Sequence, residues 1–519
     1  MPYKSARNTA LNSLCALLSL ALAGCSLPSL ESRVDSTVLP AAALEGGWLD
    51  AATKPLAAAH PGLSGILPIT DARHAFATRM LLAYTAERTL DIQYYIWHQD
   101  ITGTLLLEAL RDAADRDVRV RLLLDDNGVR GMDEVLAALN QHPNIEVRLF
   151  NPFSVRRPKE IGFITHFSRA NRRMHNKSFT ADQRLTIVGG RNVGDEYFGA
   201  TDGLLFSDLD VLAIGPVAQE TALDFDRYWA SQSSYPVELI LPAVPEQTLA
   251  ALSDAAERAE RDPRAEKYLR ALREAGLDRR APLSEMPFEW APTRMISDDP
   301  AKGLGLADDS DLLISELPRV IGQAKESFDL VSPYFVPTAA GVETLAEMAA
   351  QGVRVRVLTN ALEATDVAAV HAGYAKRRRD LLRAGVQLFE TQRQPGDPGR
   401  NESAGPFGSS GSSLHAKTFA VDGKKVFVGS FNFDPRSARL NTELGFVIDS
   451  PLLGEAINRA FDERIPMEAY EVRLNDAGRL YWVQREPDGD IHHRREPGTS
   501  MLRRVGVRLL SWLPIEWLL

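Results

Sequence analysis

"MHNKSFTADQRLTIVGGRN" (174–192) and "LHAKTFAVDGKKVFVGSFN" (414–432) carry one frame twice, His-x-Lys-x4-Asp-x6-Gly-[Gly/Ser]-x-Asn. In an extended strand residues i and i+2 share a face, so His175 points with Lys177 and His415 with Lys417. Asp-Gly at 422–423 is a hairpin signal that carries the chain back toward Gly429, Ser430 and Asn432. Each copy would then gather an imidazole, an ammonium, a carboxamide and backbone NH groups near closely spaced glycines. Donors and cations without a cluster of metal-binding carboxylates suit a tetrahedral oxyanion, phosphate above all. One His-x-Lys is weak; two full frames at equivalent points of a repeated chain are specific.

The repeat extends beyond the frames. "AERTLDIQYYIW" (86–97) matches "AKESFDLVSPYFV" (324–336), and "DVRVRLLLDDN" (117–127) matches "GVRVRVLTNAL" (352–362). The offset is 238 for Asp91 and Asp329, 235 for Val118 and Val353, and 240 for His175 and His415. Collinear matches at a nearly constant offset mean duplication. Within each copy, apolar strands alternate with helices such as "TGTLLLEALRDAADRD" (102–117) before the frame is reached. The pattern predicts an α/β fold of two lobes related by a pseudo-twofold axis, each a mixed, largely parallel sheet flanked by helices. The expected divisions are a first lobe at 66–235, a helical connector at 236–290, a second lobe at 291–470 and a C-terminal extension at 471–519. The Gly-, Ser- and Pro-rich stretch 392–413 reads as a loop at the site's entrance or a plain insertion.

Bulk composition sets the limits. With 519 residues, 45% hydrophobic and 25% charged, the chain is globular, and its formal charge of -10 argues against a surface built for nucleic acid. Lys4 and Arg7 precede the apolar "ALNSLCALLSLALAG" (10–24), which ends in "LAGC" at Cys25. This resembles a bacterial lipoprotein signal, with 1–24 removed, Cys25 lipidated, and 25–65 serving as anchor and extension; an uncleaved anchor or a chance cysteine is the alternative. Cys15 would leave with the signal, so no thiol would remain for a disulfide or for catalysis. In "MLRRVGVRLLSWLPIEWLL" (501–519), Leu502, Val505, Leu509 and Trp512 share a helical face opposite Arg504, Arg508 and Ser511. That segment either lies on a headgroup layer or docks on its own core.

The two frames resemble the HKD motifs of the phospholipase D superfamily. Flanks such as "FSDLDVLAIGPV" (206–217), "ISDDPAKG" (296–303), "GSFNFDPRS" (429–437) and "NTELGFVI" (441–448) are most similar to its bacterial cardiolipin synthase C branch. The resemblance implies one active site at the lobe interface, with His175 as nucleophile and His415 as general acid and base. Lys177, Lys417, Asn192 and Asn432 would hold the phosphoryl oxygens, in a cage made unequal by Gly190 in one frame and Ser430 in the other. Asp208 and Glu443 would hold the second ring nitrogens of the histidines, with Asp210 competing in the first lobe; Asp182 and Asp422 would be structural turn residues. The scheme needs no metal and no cofactor. His98, His142, His166, His371, His492 and His493 have no partners at ligand spacing, although His371 lies beside the basic run 376–379, which is either a lipid-phosphate contact or a solvated face. The implied partner is a phospholipid membrane, with phosphatidylglycerol and phosphatidylethanolamine as substrates; a hydrolytic phospholipase D and an exported nuclease are the rivals. A lipoprotein signal would place the lobes on the periplasmic side of the envelope.

Overall fold

A computed structural model describes residues 27–199, 208–274, 283–392 and 414–519. The leader with Cys25, and nearly all of the 392–413 stretch, lie outside the described residues.

The first sheet contains β1 (Ser64–Ile69), β2 (Thr89–Ile96), β3 (Arg119–Gly128), β4 (Ile145–Phe150), β5 (Ser178–Ala181), β6 (Leu185–Gly189), β7 (Asp210–Ile214), β8 (Ser234–Pro236) and β9 (Glu289–Ala291). Its order is β8-β4-β3-β2-β5-β6-β7-β1-β9. The second contains β10 (Thr293–Ser297), β11 (Ser327–Val331), β12 (Arg354–Asn360), β13 (Gln387–Thr391), β14 (Thr418–Val421), β15 (Lys425–Gly429), β16 (Leu444–Asp449), β17 (Ala469–Leu474), β18 (Leu480–Gln484) and β19 (Ile491–His493). Its order is β10-β16-β15-β14-β11-β12-β13-β17-β18-β19. Strands β4-β3-β2-β5-β6-β7-β1 recur as β13-β12-β11-β14-β15-β16-β10, so the duplication seen in the residues is a duplication of topology.

Both sheets are mixed, as expected, but the "largely parallel" expectation is too broad. Parallel pairing is confined to β2–β3–β4 and β11–β12–β13. Each frame forms a hairpin, β5–β6 or β14–β15, and a chain that doubles back through a tight turn can pair only antiparallel. The parallel strands lie inside each sheet, and β3, for example, is buried over most of its length although it carries Arg121, Asp125 and Asp126.

In the first lobe, helices Ala72–Thr85 and Ile101–Asp115 start at Asp71 and Asp100, whose carboxylates accept bonds from first-turn amides. Connector helices Gln247–Glu260 and Glu266–Glu274 pack over them through Leu252, Ala256 and Tyr268. Residues before β1 strap the same lobe, with Asp35 paired to the buried Arg148 at 2.7 Å. Strands β17–β19 carry the second sheet beyond residue 470.

The lobes meet through a shared apolar core. Val188, Val211 and Ala213 from one side pack with Ala416, Val428 and Phe446 from the other. Backbone bonds stitch the frame to its neighbour: His175 N donates to Thr442 O at 2.9 Å, and Thr442 N to Arg173 O at 3.0 Å. The C-terminal helix Met501–Leu510 docks through Val507 on Leu362 and Ala372, and Leu519 packs on Val336 and Val370. Leu502 is nonetheless 84% exposed and Trp512 72%, so the segment combines a docked side with an open apolar one. Among the described residues, no helix is long and apolar enough to cross a membrane.

Candidate active site

The frame aspartates are hairpin anchors. Asp182, at a φ of 49°, accepts bonds from the amides of Glu87, Arg88 and Thr89 at 3.0, 2.8 and 2.8 Å, fastening the β5–β6 turn to the start of β2. Asp422 accepts from Lys325, Glu326 and Ser327 at 2.9, 2.8 and 3.0 Å in the second lobe. The histidines lie at the opposite ends of these strands, at the lobe interface.

There the two halves cross. His415 Nδ1 lies 2.6 Å from Asp208 of the first lobe, and His175 Nδ1 lies 2.9 Å from Glu443 of the second and 3.1 Å from Ser430 O. Each imidazole is therefore oriented by a carboxylate that the other lobe supplies. Asp210 is not the alternative holder, because it is buried in ion pairs with Arg79 at 2.9 Å and Arg191 at 3.3 Å.

The expectation that Gly190 and Ser430 differ as phosphate donors is corrected by their contacts. Ser430 Oγ donates to Glu443 and accepts from Leu444 N at 3.0 Å, so the hydroxyl is committed to the carboxylate. A Cβ at Gly190 would stand 2.1 Å from Asp208 Oδ1, and Gly190 N already donates to Leu209 O at 3.2 Å. The first lobe leaves this position bare because Asp208 fills the space. Both residues act through the carboxylates and present no donor of their own to a phosphate.

The remaining frame residues line the centre. Asn192 Oδ1 accepts from Ile96 N at 3.2 Å, leaving Nδ2 buried without a hydrogen-bond partner; Asn432 likewise has a buried, unpaired Oδ1. Lys177 and Lys417 each give one proton to the carbonyl of their own histidine at 2.5 Å, which leaves two hydrogens per ammonium. Tyr95 stands edge-on to His175 at 5.1 Å between ring centroids, and Tyr197 is tilted against His415 at 5.4 Å. The frame pattern carried no sign of these tyrosines, although "QYYIW" and "DEYFG" are the polar aromatic spots of their segments.

Burial dominates the electrostatics. It pushes His175 well below the ordinary imidazole value, with Lys177 and Lys417 adding to the effect, and takes His415 down to about 4. It also lowers Lys177 strongly and Lys417 to about 8, and raises Glu443 to about 7. Burial opposes ionisation of Asp208 too, but His415, Arg191 and Lys417 outweigh it and hold that carboxyl below the usual range. Burial thus works against the charged forms of both lysines and both imidazoles, an environment that an entering anion would relieve.

The other histidines are mostly structural. His371 is buried against Arg378 at 2.6 Å, and Arg378 pairs with Glu390 and Glu496, while Arg377 pairs with Glu516. The run 376–379 thus contributes two of its arginines to the protein's own ion pairs. His98, expected to lack partners at ligand spacing, lies 3.0 Å from Glu196, and with Asp100 the three bring ligand-type atoms within 4.8 Å of one another. Asp100 is occupied in capping, accepting from Gly103 N at 3.0 Å and Asp195 N at 2.6 Å.

Duplicated lobes that each contribute one histidine and the carboxylate for the other's ring define the phospholipase D-like class. The chain belongs to that family: residues 82–229 and 317–465 match the family described as "Cardiolipin synthase, PLD-like domain". It is 50% identical over 476 residues to "Cardiolipin synthase C" of Escherichia coli (strain K12), covering 91% of this chain and 99% of that one. "Cardiolipin synthase A" of Klebsiella pneumoniae (strain 342) is 26% identical over 77% of this chain and 68% of its own. Among solved structures, phosphatidylserine synthase of Haemophilus influenzae Rd KW20 shares the fold, with a TM-score of 0.57, 13% identity, and coverage of 88% of this chain and 97% of that one.

Proposed function

We propose that this chain is a phosphatidyltransferase that makes cardiolipin by joining a phosphatidyl group to phosphatidylglycerol. The observation that carries the reading is the crossed pair, His175 on Glu443 and His415 on Asp208, in a chain so similar over its length to a cardiolipin synthase. His175 Nε2 attacks phosphorus and the bond to the departing alcohol breaks, with His415 supplying the alcohol's proton. A hydroxyl of phosphatidylglycerol then loses its proton to His415 and attacks phosphorus, breaking the phosphorus–nitrogen bond. Lys177, Lys417 and the amides of Asn192 and Asn432 stabilise the phosphoryl oxygens as charge builds on them.

This division of labour rests on the unequal carboxylates. Asp208 stays ionised beside His415 and favours an imidazolium there once an anionic phosphate offsets the lysines, as a general acid requires. Glu443, raised toward neutrality and tied to Ser430, favours a neutral His175, as a nucleophile requires. The donor is phosphatidylethanolamine, releasing ethanolamine, or a second phosphatidylglycerol, releasing glycerol. The lobes are held at the periplasmic face of a membrane by lipid on Cys25, and the open apolar side at Leu502, Leu509, Trp512 and Trp517 rests on the headgroup layer.

The test incubates the lipidated protein with vesicles of phosphatidylglycerol and phosphatidylethanolamine and identifies products by mass. Cardiolipin with free ethanolamine is expected, and phosphatidic acid as the sole product would replace transfer by hydrolysis. His175→Ala and His415→Ala should each abolish turnover. Trp512→Ser with Trp517→Ser should weaken flotation with the vesicles, and unchanged flotation would remove the C-terminal contact from the proposal.

A further inference from the structure

The two lobes differ where their topology says they should match. In the first, helices Ala72–Thr85 and Ile101–Asp115 pack on each other under the connector helices, and Phe76 meets Phe198 and Tyr268 at 5.6 and 5.3 Å, closing the space above β5. In the second, the corresponding helices Leu313–Ile321 and Thr338–Ala350 stand apart, and an open groove of about 480 Å³ runs between them. No described residue plays the connector's part here.

The groove has a floor and a direction. Phe419 and Val421 of β14 line it, and these continue the same strand face as His415 and Lys417. Its lining also includes Phe431 and Phe433, which flank Asn432 in the chain, and Asp434. Of its lining only Thr338, Thr344, Asp434 and Arg439 are polar. A polar headgroup placed there would lose its water without replacement partners, whereas hydrocarbon would cover surface that is otherwise wet. The volume falls within the ~300–1,000 Å³ common for ligand sites.

We propose that this groove seats one acyl chain of the phospholipid whose phosphate lies between His175 and His415. The occupant has to be hydrocarbon along the groove, whose Phe431 and Phe433 flank the site residue Asn432, and a phospholipid joins hydrocarbon to phosphate. The proposal rests on the phosphatidyl-transfer reading and adds where that substrate's tail goes. It also gives the duplication a purpose: the first lobe's trough is filled by the chain itself, while the second lobe's is left for substrate.

Ala340 and Thr344 are exposed wall residues on the Thr338–Ala350 helix, so a tryptophan at either narrows the groove without entering the core. The measurement is kcat/KM in mixed micelles for dioleoyl against dihexanoyl substrate. Ala340→Trp and Thr344→Trp should cut the long-chain value about ten-fold or more while short-chain turnover stays within about two-fold. Glu343→Trp, on the same helix but outside the groove, should change neither. A phospholipid with a photoreactive diazirine in its acyl chain, irradiated with the inactive His415→Ala protein, should label peptides from 338–350 and 417–433, and Thr344→Trp should remove that label. An unchanged chain-length preference together with labelling elsewhere overturns the groove, as would happen if it took a partner protein's helix. If the wild type turns over no phospholipid yet labels in the groove, the transfer reading fails and the groove stands.

Discussion

Glu443 stands 268 residues from the imidazole it orients, and that crossing decides what single substitutions should do. Asp208→Asn acts on His415 and Glu443→Gln on His175. With a phospholipid substrate, each should lower kcat by roughly 10²–10⁴-fold, the scale of losing a carboxylate behind a catalytic histidine. A p-nitrophenyl phosphodiester leaves without needing a proton, so on it Asp208→Asn should recover most of its rate and Glu443→Gln should not. Equal losses on both substrates would refute the assignment of nucleophile and acid. The lysines set the alkaline limit. Lys417, held down to about 8 by burial, is charged below that pH and loses its proton as pH rises through it, so kcat/KM should fall above about pH 8. Lys417→Arg, which stays charged, should shift that limb upward from a lower plateau. A limb that stays in place in the variant would assign it to another group. The frame residues themselves were legible from spacing, because His-x-Lys on one strand face is a local geometry. Their partners were not, since which lobe's carboxylate reaches which ring depends on how two surfaces meet.

At the scale of elements, the frame aspartate is a fastener. Asp182 closes three backbone amides at the head of β2, and Asp182→Ala strands the buried Thr89 donor and the part-buried donors of Glu87 and Arg88. Denaturant unfolding should show a loss of about 2–4 kcal/mol, while kcat per folded molecule stays near wild type. Asp422→Ala should cost less, because its amides lie nearer solvent. A collapse of kcat with intact stability would move Asp182 into the chemistry. The strand and helix alternation was readable from apolar periodicity, and the Asp-Gly turn announced one hairpin. The antiparallel majority in each sheet is not legible in the sequence, because a run such as "VFVG" reads the same in either pairing direction, and only the return path of the chain settles it.

For the whole molecule, the lobes share one apolar core at Val188, Val211, Val428 and Phe446, and the histidines sit in that seam. An interface built like a domain interior couples the folding of both sides. Calorimetry should record a single cooperative transition for the two lobes, and Phe446→Ala, buried on the second lobe's side, should lower the whole transition by about 3–5 kcal/mol. Two separable transitions, with only one responding to Phe446→Ala, would mean that the lobes fold independently. The C-terminal segment shows the same dependence on assembly. Its helical period left membrane surface and core docking as alternatives, and in the fold Val507 packs inward while Leu502 and Trp512 stay exposed.

The residues alone determined that this chain is duplicated and that each half carries an imidazole and an ammonium on one strand face, the pattern behind the phosphate reading. These are properties of spacing along a strand, where neighbours in sequence are neighbours in space. Tertiary structure decided the exchange of carboxylates between lobes, the commitment of Ser430 to Glu443, the space that Asp208 takes at Gly190, and the groove that one lobe fills and the other leaves open. Each of those depends on distances between segments far apart in the chain, which close packing sets and periodicity does not carry.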